Sequence, residues 1–444
     1  MPTGSNFLLQ VGGKNILVDC GLVQGEKYAL PTNKEPFAYD VASIDFLFVT
    51  HAHLDHVGRI PRLVRDGFKG KIVSTEPTRD MGELIMLDSM GVLSKEAQFA
   101  NEPPLYEEKD VMNAIRLWDT FVTYEKPFII DTDKGQLSVI AHDAGHILGS
   151  TSYEFVFQGK RLLFTGDLGN TPSPLMRDTT LPENLDYLVM ESVYGDRNHK
   201  DKDKRIEILK EAVTSTITKG GTVLIPAFSI ERTQEMLMAF NELVESKQIP
   251  EVPVYLDSPL GINITKVYKK HESWFNENTE KIIKSGDDIF AFKGLVQTAT
   301  PEESKSINKD TRPKVIIAGS GMSNGGRILH HEAHYLSDPK TTIIIVGYQA
   351  VNTLGRKIVD GDKEVMIHGQ PVKVRARVVN IHGFSAHKDS EHLIQYVGAT
   401  QETLKKVFVV LGEPKSAYFL GQRIHEVYQV PVLVPAKGDV VELD

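Results

Sequence analysis

From the start of the chain to about residue 195, apolar residues fall in short runs separated by Gly, Asn and Asp. Phe7-Leu8-Leu9-Gln10-Val11, a Gly12-Gly13 break and Ile16-Leu17-Val18-Asp19 predict a β-hairpin. Phe46-Leu47-Phe48-Val49-Thr50 has the length and apolarity of a buried strand. Helical periodicity covers 59–66, 75–99 and 107–117, and further strands are predicted at Leu137–Ala141, Ser152–Phe157, Leu162–Thr165 and Tyr187–Met190. The polar run Tyr194–Arg205 predicts an exposed connection or domain boundary. Beyond it, helix alternates with buried strand: helix 203–218, strand Thr222–Pro226, helix 229–246, strand Pro253–Leu256, then strands Lys314–Ala318 and Thr342–Val346 before Gly-rich turns. That alternation predicts a parallel sheet covered by helices. From about 376 strands return, with a helix at 388–398 and short strands at Val407–Leu411 and Val432–Val434.

Composition narrows the class. With 444 residues, 41% hydrophobic and 25% charged, the chain is globular and too long for one core. Two domains, or one domain carrying a large insertion, are expected. Cys20 is the single cysteine, so no internal disulfide forms and a reducing compartment is expected. No apolar run reaches the ~18 residues of a membrane span, and the N-terminal residues lack a signal pattern. A soluble, cytoplasmic protein is the expectation. The net charge of −9 does not announce a nucleic-acid binder, yet only the local field of a site steers a substrate.

Candidate chemistry is concentrated in Thr50-His51-Ala52-His53-Leu54-Asp55-His56-Val57-Gly58, directly after a predicted strand. Three imidazoles and a carboxylate within six residues can converge on a metal, and the lack of thiolates argues against a structural Cys-type site. Two more candidate ligands follow predicted strands: His146 in Ala144-Gly145-His146-Ile147-Leu148-Gly149-Ser150, and Asp167 in Gly166-Asp167-Leu168-Gly169. His142 reads equally well as a surface residue and is left out of the ligand set.

Together these motifs resemble the metallo-β-lactamase superfamily, with Asp19 in Val18-Asp19-Cys20-Gly21 as its first motif, His51 to His56 as its second, and His146 and Asp167 as its third and fourth. The resemblance is closest to the β-CASP branch, whose members cleave RNA or DNA phosphodiesters. It covers essentially the whole chain and includes stand-alone bacterial and archaeal RNA nucleases and the endonuclease subunit of pre-mRNA 3′-end cleavage. Glu191 in Met190-Glu191-Ser192 matches motif A, and His387 in Phe384-Ser385-Ala386-His387-Lys388 matches motif B. The resemblance implies an α/β fold, an αββα sandwich with an inserted parallel-sheet domain. Its parts would be 1–195, an insertion over 196–375, and 376–444, with substrate in the cleft between the two domains.

The resemblance also implies zinc-dependent phosphodiester hydrolysis at one centre with two metal sites. His51, His53 and His146 would hold one metal and Asp55 and His56 the other, with Asp167 bridging. Asp19 would orient the His-rich loop, and His387, held by Glu191, would protonate the leaving 3′-oxygen. Ser320, Gly321, Ser323, Asn324, Gly325 and Gly326 would meet substrate phosphate, with Arg232 and Arg327 as candidate contacts. His382, His330, His331 and His334 read as structural or exposed.

Two departures matter. Family members usually carry a strand and Gly-rich loop before Thr3-Gly4-Ser5-Asn6, so the expectation is either a truncated chain or one that has lost its first edge strand. The motif C histidine is replaced by Leu411 in Val409-Val410-Leu411-Gly412-Glu413. Leucine cannot coordinate, so the second metal site is expected to be weak or empty. DNA-specific relatives also carry an apolar residue there, but pair it with Asp at motif A. Single-stranded RNA is therefore the expected substrate and DNA the rival. A binding homologue with weakened catalysis is a third reading, and a small-molecule hydrolase sharing only the first four motifs a fourth. The family often forms dimers, so a homodimer is the assembly the resemblance implies.

Overall fold

Period-two alternation along short strands gives the first unit its layers. A computed structural model of the chain describes residues 3–25, 29–199, 202–350 and 352–444. The chain divides into two compact units, Met1–Asn198 with His387–Asp444, and His199–Ala386. In the first unit, strands Phe7–Val11, Lys14–Val18, Phe46–Phe48, Lys71–Ser74 and Thr120–Phe121 lie side by side in that order. The predicted hairpin is there, in register from Phe7 opposite Val18 to Val11 opposite Lys14.

A second sheet runs Val432–Leu433, Lys406–Val409, Tyr187–Met190, Lys160–Phe164, Thr151–Phe157, Gly135–Asp143 and Pro127–Thr132. Ile16, Val18, Phe48 and Val73 of the first sheet pack against Val139, Tyr153, Phe155, Leu162, Phe164 and Phe408 of the second. The residues between them point the other way, as alternation requires. Leu17, Leu47 and Ile72 meet Leu63, Met86, Val111 and Trp118 of the helices Ile60–Arg65, Glu76–Phe99 and their neighbours. Leu163, Leu188 and Val407 meet Leu393, Val397, Leu420 and Ile424 of the helices Ser390–Gly398 and Pro414–Tyr428. The result is helix, sheet, sheet, helix.

The second unit carries a parallel sheet ordered Leu295–Gln297, Val254–Asp257, Lys314–Ala318, Thr222–Pro226, Thr342–Ile345, Arg377–Asn380. Thr222–Pro226 and Lys314–Ala318 are buried along their whole length, the signature of a strand covered on both faces. The strand predicted from about 376 forms, but it pairs with Thr342–Ile345 in this parallel sheet. Of the polar connection Tyr194–Arg205, residues 200 and 201 lie outside the described residues, as does the side chain of His382. Among the described residues, no helix is long and apolar enough to cross a membrane.

Candidate metal centre

The predicted ligands, like Asp19 beneath them, follow strands, each in the turn beyond or, for Asp55 and His56, in the short helix Leu54–Val57. Asp19 follows Lys14–Val18, the segment Thr50–His56 follows Phe46–Phe48, His146 follows Gly135–Asp143, and Asp167 follows Lys160–Phe164. Gly169 makes one of these turns close: a Cβ there would overlap the Gly145 carbonyl, so Gly is required where the loops of His146 and Asp167 touch.

The structure brings His51, His53, His146 and Asp167 together, one ligand atom from each lying within 4.8 Å of the others. His53 Nδ1 is 3.1 Å from His51 Nε2 and 3.2 Å from His146 Nε2. Asp167 Oδ2 lies 3.5 Å from His51 Nε2 and 3.6 Å from His146 Nε2. Burial, with the neighbouring imidazoles, holds the pKa values of His53 and His146 well below the ordinary value. Neutral imidazoles with converging nitrogens and an anionic oxygen are the donor set a borderline divalent cation takes. The residues present fit a metal.

Asp55 and His56 stand with the other oxygen of Asp167. His56 Nε2 is 3.5 Å from Asp167 Oδ1 and 4.0 Å from Asp55 Oδ2. This set is looser than the first. Burial disfavours charge on His56, but Asp167 and Asp19 outweigh it and hold its pKa well above the ordinary value. Burial raises the pKa of Asp55. Leu411, in the left-handed region at φ 51°, lines a small cavity with Asp19, Ser5 and Thr165.

Asp19 fixes the loop beneath these ligands. Its carboxylate accepts from Thr50 N at 2.8 Å, Ser5 Oγ at 3.0 Å and Thr50 Oγ1 at 2.9 Å, and lies 2.7 Å from His56 Nδ1. Thr50 Oγ1 is also 3.1 Å from His51 Nδ1. With the hydroxyl proton given to Asp19, His51 Nδ1–H donates to Thr50 and Nε2 keeps a lone pair toward the centre.

His387 and Glu191 form a second group with Asp167. His387 Nδ1 is 3.3 Å from Glu191 Oε1 and 3.9 Å from Asp167 Oδ2. Glu191, fully buried, also accepts from Leu168 N at 2.6 Å and Val193 N at 3.2 Å. Burial opposes charge on His387, but Glu191, then Asp167 and Asp55, raise its pKa to about 9. Thr50, Ser5 and Lys388 escaped the sequence reading. Lys388, buried beside His387, donates to Gly169 O at 2.8 Å and Thr179 Oγ1 at 2.7 Å. Thr50 had a signal, a hydroxyl at a strand end directly before the His-rich run; Ser5 and Lys388 had none.

The predicted phosphate contacts lie in the second unit, and two of them turn inward. Arg232 is 5% exposed and ion-paired with Glu235, so its charge is already met. Ser323 Oγ, also buried, donates to Glu332 Oε1 at 2.5 Å. Arg327 binds Asp257 Oδ1 at 2.7 Å and the carbonyls of Thr298 and Ala299, each at 2.9 Å. Asn324 accepts from Leu354 N at 3.2 Å, and Ser320 Oγ accepts from Asn324 N at 3.1 Å. Ser320, Gly321, Gly325 and Gly326 remain on the loop that follows Lys314–Ala318. His331 is buried on Asp257, 2.8 Å away, while His330 and His334 are exposed.

A four-layer sandwich whose strand ends gather imidazoles and carboxylates around one bridging aspartate places the chain in the metallo-β-lactamase class, whose members bind metal. Residues 3–217 match the metallo-beta-lactamase superfamily, 233–358 the Beta-Casp domain, and 371–435 the Zn-dependent metallo-hydrolase RNA specificity domain. The chain belongs to the β-CASP family of that superfamily. It is 34% identical over 420 residues to Ribonuclease TTHA0252 of Thermus thermophilus, covering 95% of this chain and 93% of that protein. An RNase J-like protein of Methanocaldococcus jannaschii is 33% identical, covering 96% and 94%. Transcription termination factor FttA of Methanosarcina mazei is 32% identical over 99% of this chain and 69% of its own. A solved protein of unknown function from Enterococcus faecalis shares the fold at TM-score 0.54 and 13% identity, covering 99% and 96% of the two chains.

Proposed function

We propose that this chain is a metal-dependent ribonuclease that hydrolyses phosphodiester bonds of single-stranded RNA. The observation that carries the reading is Asp167. One of its oxygens faces His51 and His146, the other faces His56, and the His387–Glu191 pair stands beside it. His51, His53, His146 and Asp167 would hold one metal, and Asp55, His56 and Asp167 a second, more weakly held for want of a ligand at Leu411. Zinc suits the imidazole-rich set. When bound, the metals supply Lewis acidity toward the phosphate and a nucleophile at neutral pH.

The chain's own groups do the rest. Asp19 and Thr50 orient the imidazoles of His56 and His51. Glu191, anchored by two backbone N–H groups, holds His387 with its proton for the departing 3′-oxygen. Ser320, Gly321, Gly325 and Gly326 supply small residues and backbone where a phosphate approaches. A reducing, cytosolic setting belongs to the same reading, supported by the single buried thiol, Cys20.

The names of the relatives favour RNA, and Leu411 keeps DNA as the rival. End-labelled RNA and DNA of equal sequence, offered together to the wild type and to Leu411→His, separate the two. RNA cleavage by the wild type, with greater metal retention in Leu411→His, is expected. Preference for DNA would overturn the substrate assignment. Cleavage only after Leu411→His would show a chain whose role is binding.

A further inference from the structure

The second unit holds an exposed aromatic ring on a rigid mount, where parallel sheets take their ligands. From Thr222–Pro226 the chain crosses to Val254–Asp257 on one side, and from Lys314–Ala318 it crosses to Thr342–Ile345 on the other. These two strands are parallel neighbours whose crossovers leave in opposite directions, and ligands of such sheets bind beyond the carboxyl ends at that point. Phe228 lies two residues past the first strand and is 37% exposed. Gly321 lies three residues past the second. A Cβ on Gly321 would stand 2.5 to 2.8 Å from three carbons of the Phe228 ring, and one on Gly347 would stand 3.8 Å from it. The ring therefore rests against glycine main chain.

The mount is tied from both sides. The Phe228 carbonyl accepts from Thr233 N at 3.1 Å and Thr233 Oγ1 at 2.7 Å. Gln349 Nε2 donates to Gly321 O at 2.9 Å and Gly347 O at 3.2 Å, joining the two glycine loops. Beside the ring's segment, Ser229 Oγ and Ser258 Oγ lie 3.3 Å apart. A Cβ on Gly319 would stand 3.8 Å from each of them. An exposed, fixed apolar plane next to paired hydroxyls and a Gly-rich turn matches a nucleotide: a flat base for the ring, ribose or phosphate for the hydroxyls.

Resting on the ribonuclease reading above, we propose that Phe228 is a stacking platform for one base of the bound RNA strand and so fixes the register of the strand. The Gly321 and Gly347 backbones hold the ring, and its exposed part would meet the base.

The test is single-turnover cleavage by the metal-replete full chain, with half-saturating concentration and maximal rate read separately. The probes are a short single-stranded oligoribonucleotide and versions with one base at a time replaced by an abasic ribose. Phe228→Ala and Phe228→Leu should raise the half-saturating concentration about 5- to 150-fold on the intact RNA. Removing one particular base should cost the wild type a similar factor and those variants nothing further. Phe228→Trp should keep the wild-type value. Leucine matching phenylalanine, or equal losses on every abasic probe, would make Phe228 a packing residue and overturn the proposal alone. A wild type that neither binds nor cuts the intact RNA would overturn the ribonuclease reading, and this proposal with it.

Discussion

Replacing Glu332 by Gln should remove a pH-dependent penalty from the fold. Glu332, on the helix Ile328–Tyr335, is fully buried. Its Oε1 receives the Ser323 hydroxyl, and its Oε2 has no hydrogen-bond partner among the described residues. Burial raises the carboxyl from the ordinary 4.5 to about 8, with Ser323 the one opposing influence. The native state therefore holds a proton that the unfolded chain releases above pH 4.5, and stability falls as pH rises from there to about 8, then levels. At about 1.4 kcal/mol per pH unit the full loss is roughly 5 kcal/mol, of which about 3 is reached near pH 7. Glu332→Gln abolishes this slope. The buried amide adds its own cost of about 1–3 kcal/mol, constant with pH, so the slope is the readout. Urea denaturation from pH 5 to 9 should show the wild type losing several kcal/mol that the variant keeps. Parallel curves would refute the reasoning, because they would mean that Glu332 ionises at little cost.

Three further outcomes follow from the site's surroundings. Gly169→Ala should push the His146 loop from Asp167, destabilise the fold by about 1–3 kcal/mol and lower the metal content measured by elemental analysis. Lys388→Met should strip buried partners from Gly169 O and Thr179 Oγ1 and cost about 3 kcal/mol in denaturation. His142 lies 3.0 Å from Glu125 and 2.9 Å from Glu154; burial opposes its charge, but these carboxylates raise its pKa above 6.5. Its contribution is complete below pH 6.5 and disappears as pH rises through the raised value, so the melting temperature of the wild type should fall over that range while His142→Gln stays flatter.

Much of the centre was legible because its ligands crowd at strand ends, where one stretch supplies His51, His53, Asp55 and His56 together. Tyr187–Met190, Thr222–Pro226 and Lys314–Ala318 form with the predicted limits, since apolar runs bounded by polar turns leave little choice. Pro127–Thr132 was missed: only Ile130 in it is buried, and an edge strand carries no strong pattern. The hairpin Glu364–Ile367 with Gln370–Lys373 escaped because each strand is only four residues long, too short for its alternation to stand out. Arg232 and Ser323 show the opposite failure. Each reads as a phosphate contact, and the fold instead buries Arg232 against Glu235 one helical turn on and Ser323 against Glu332.

The most direct test of the account is cleavage of an end-labelled single-stranded RNA by one preparation as purified, after chelation, and after zinc is restored, with metal per chain measured at each stage. Cutting and metal should be lost together and return together. A chain that cuts RNA with its metal removed, or one that holds zinc at full occupancy and leaves RNA intact, would contradict it.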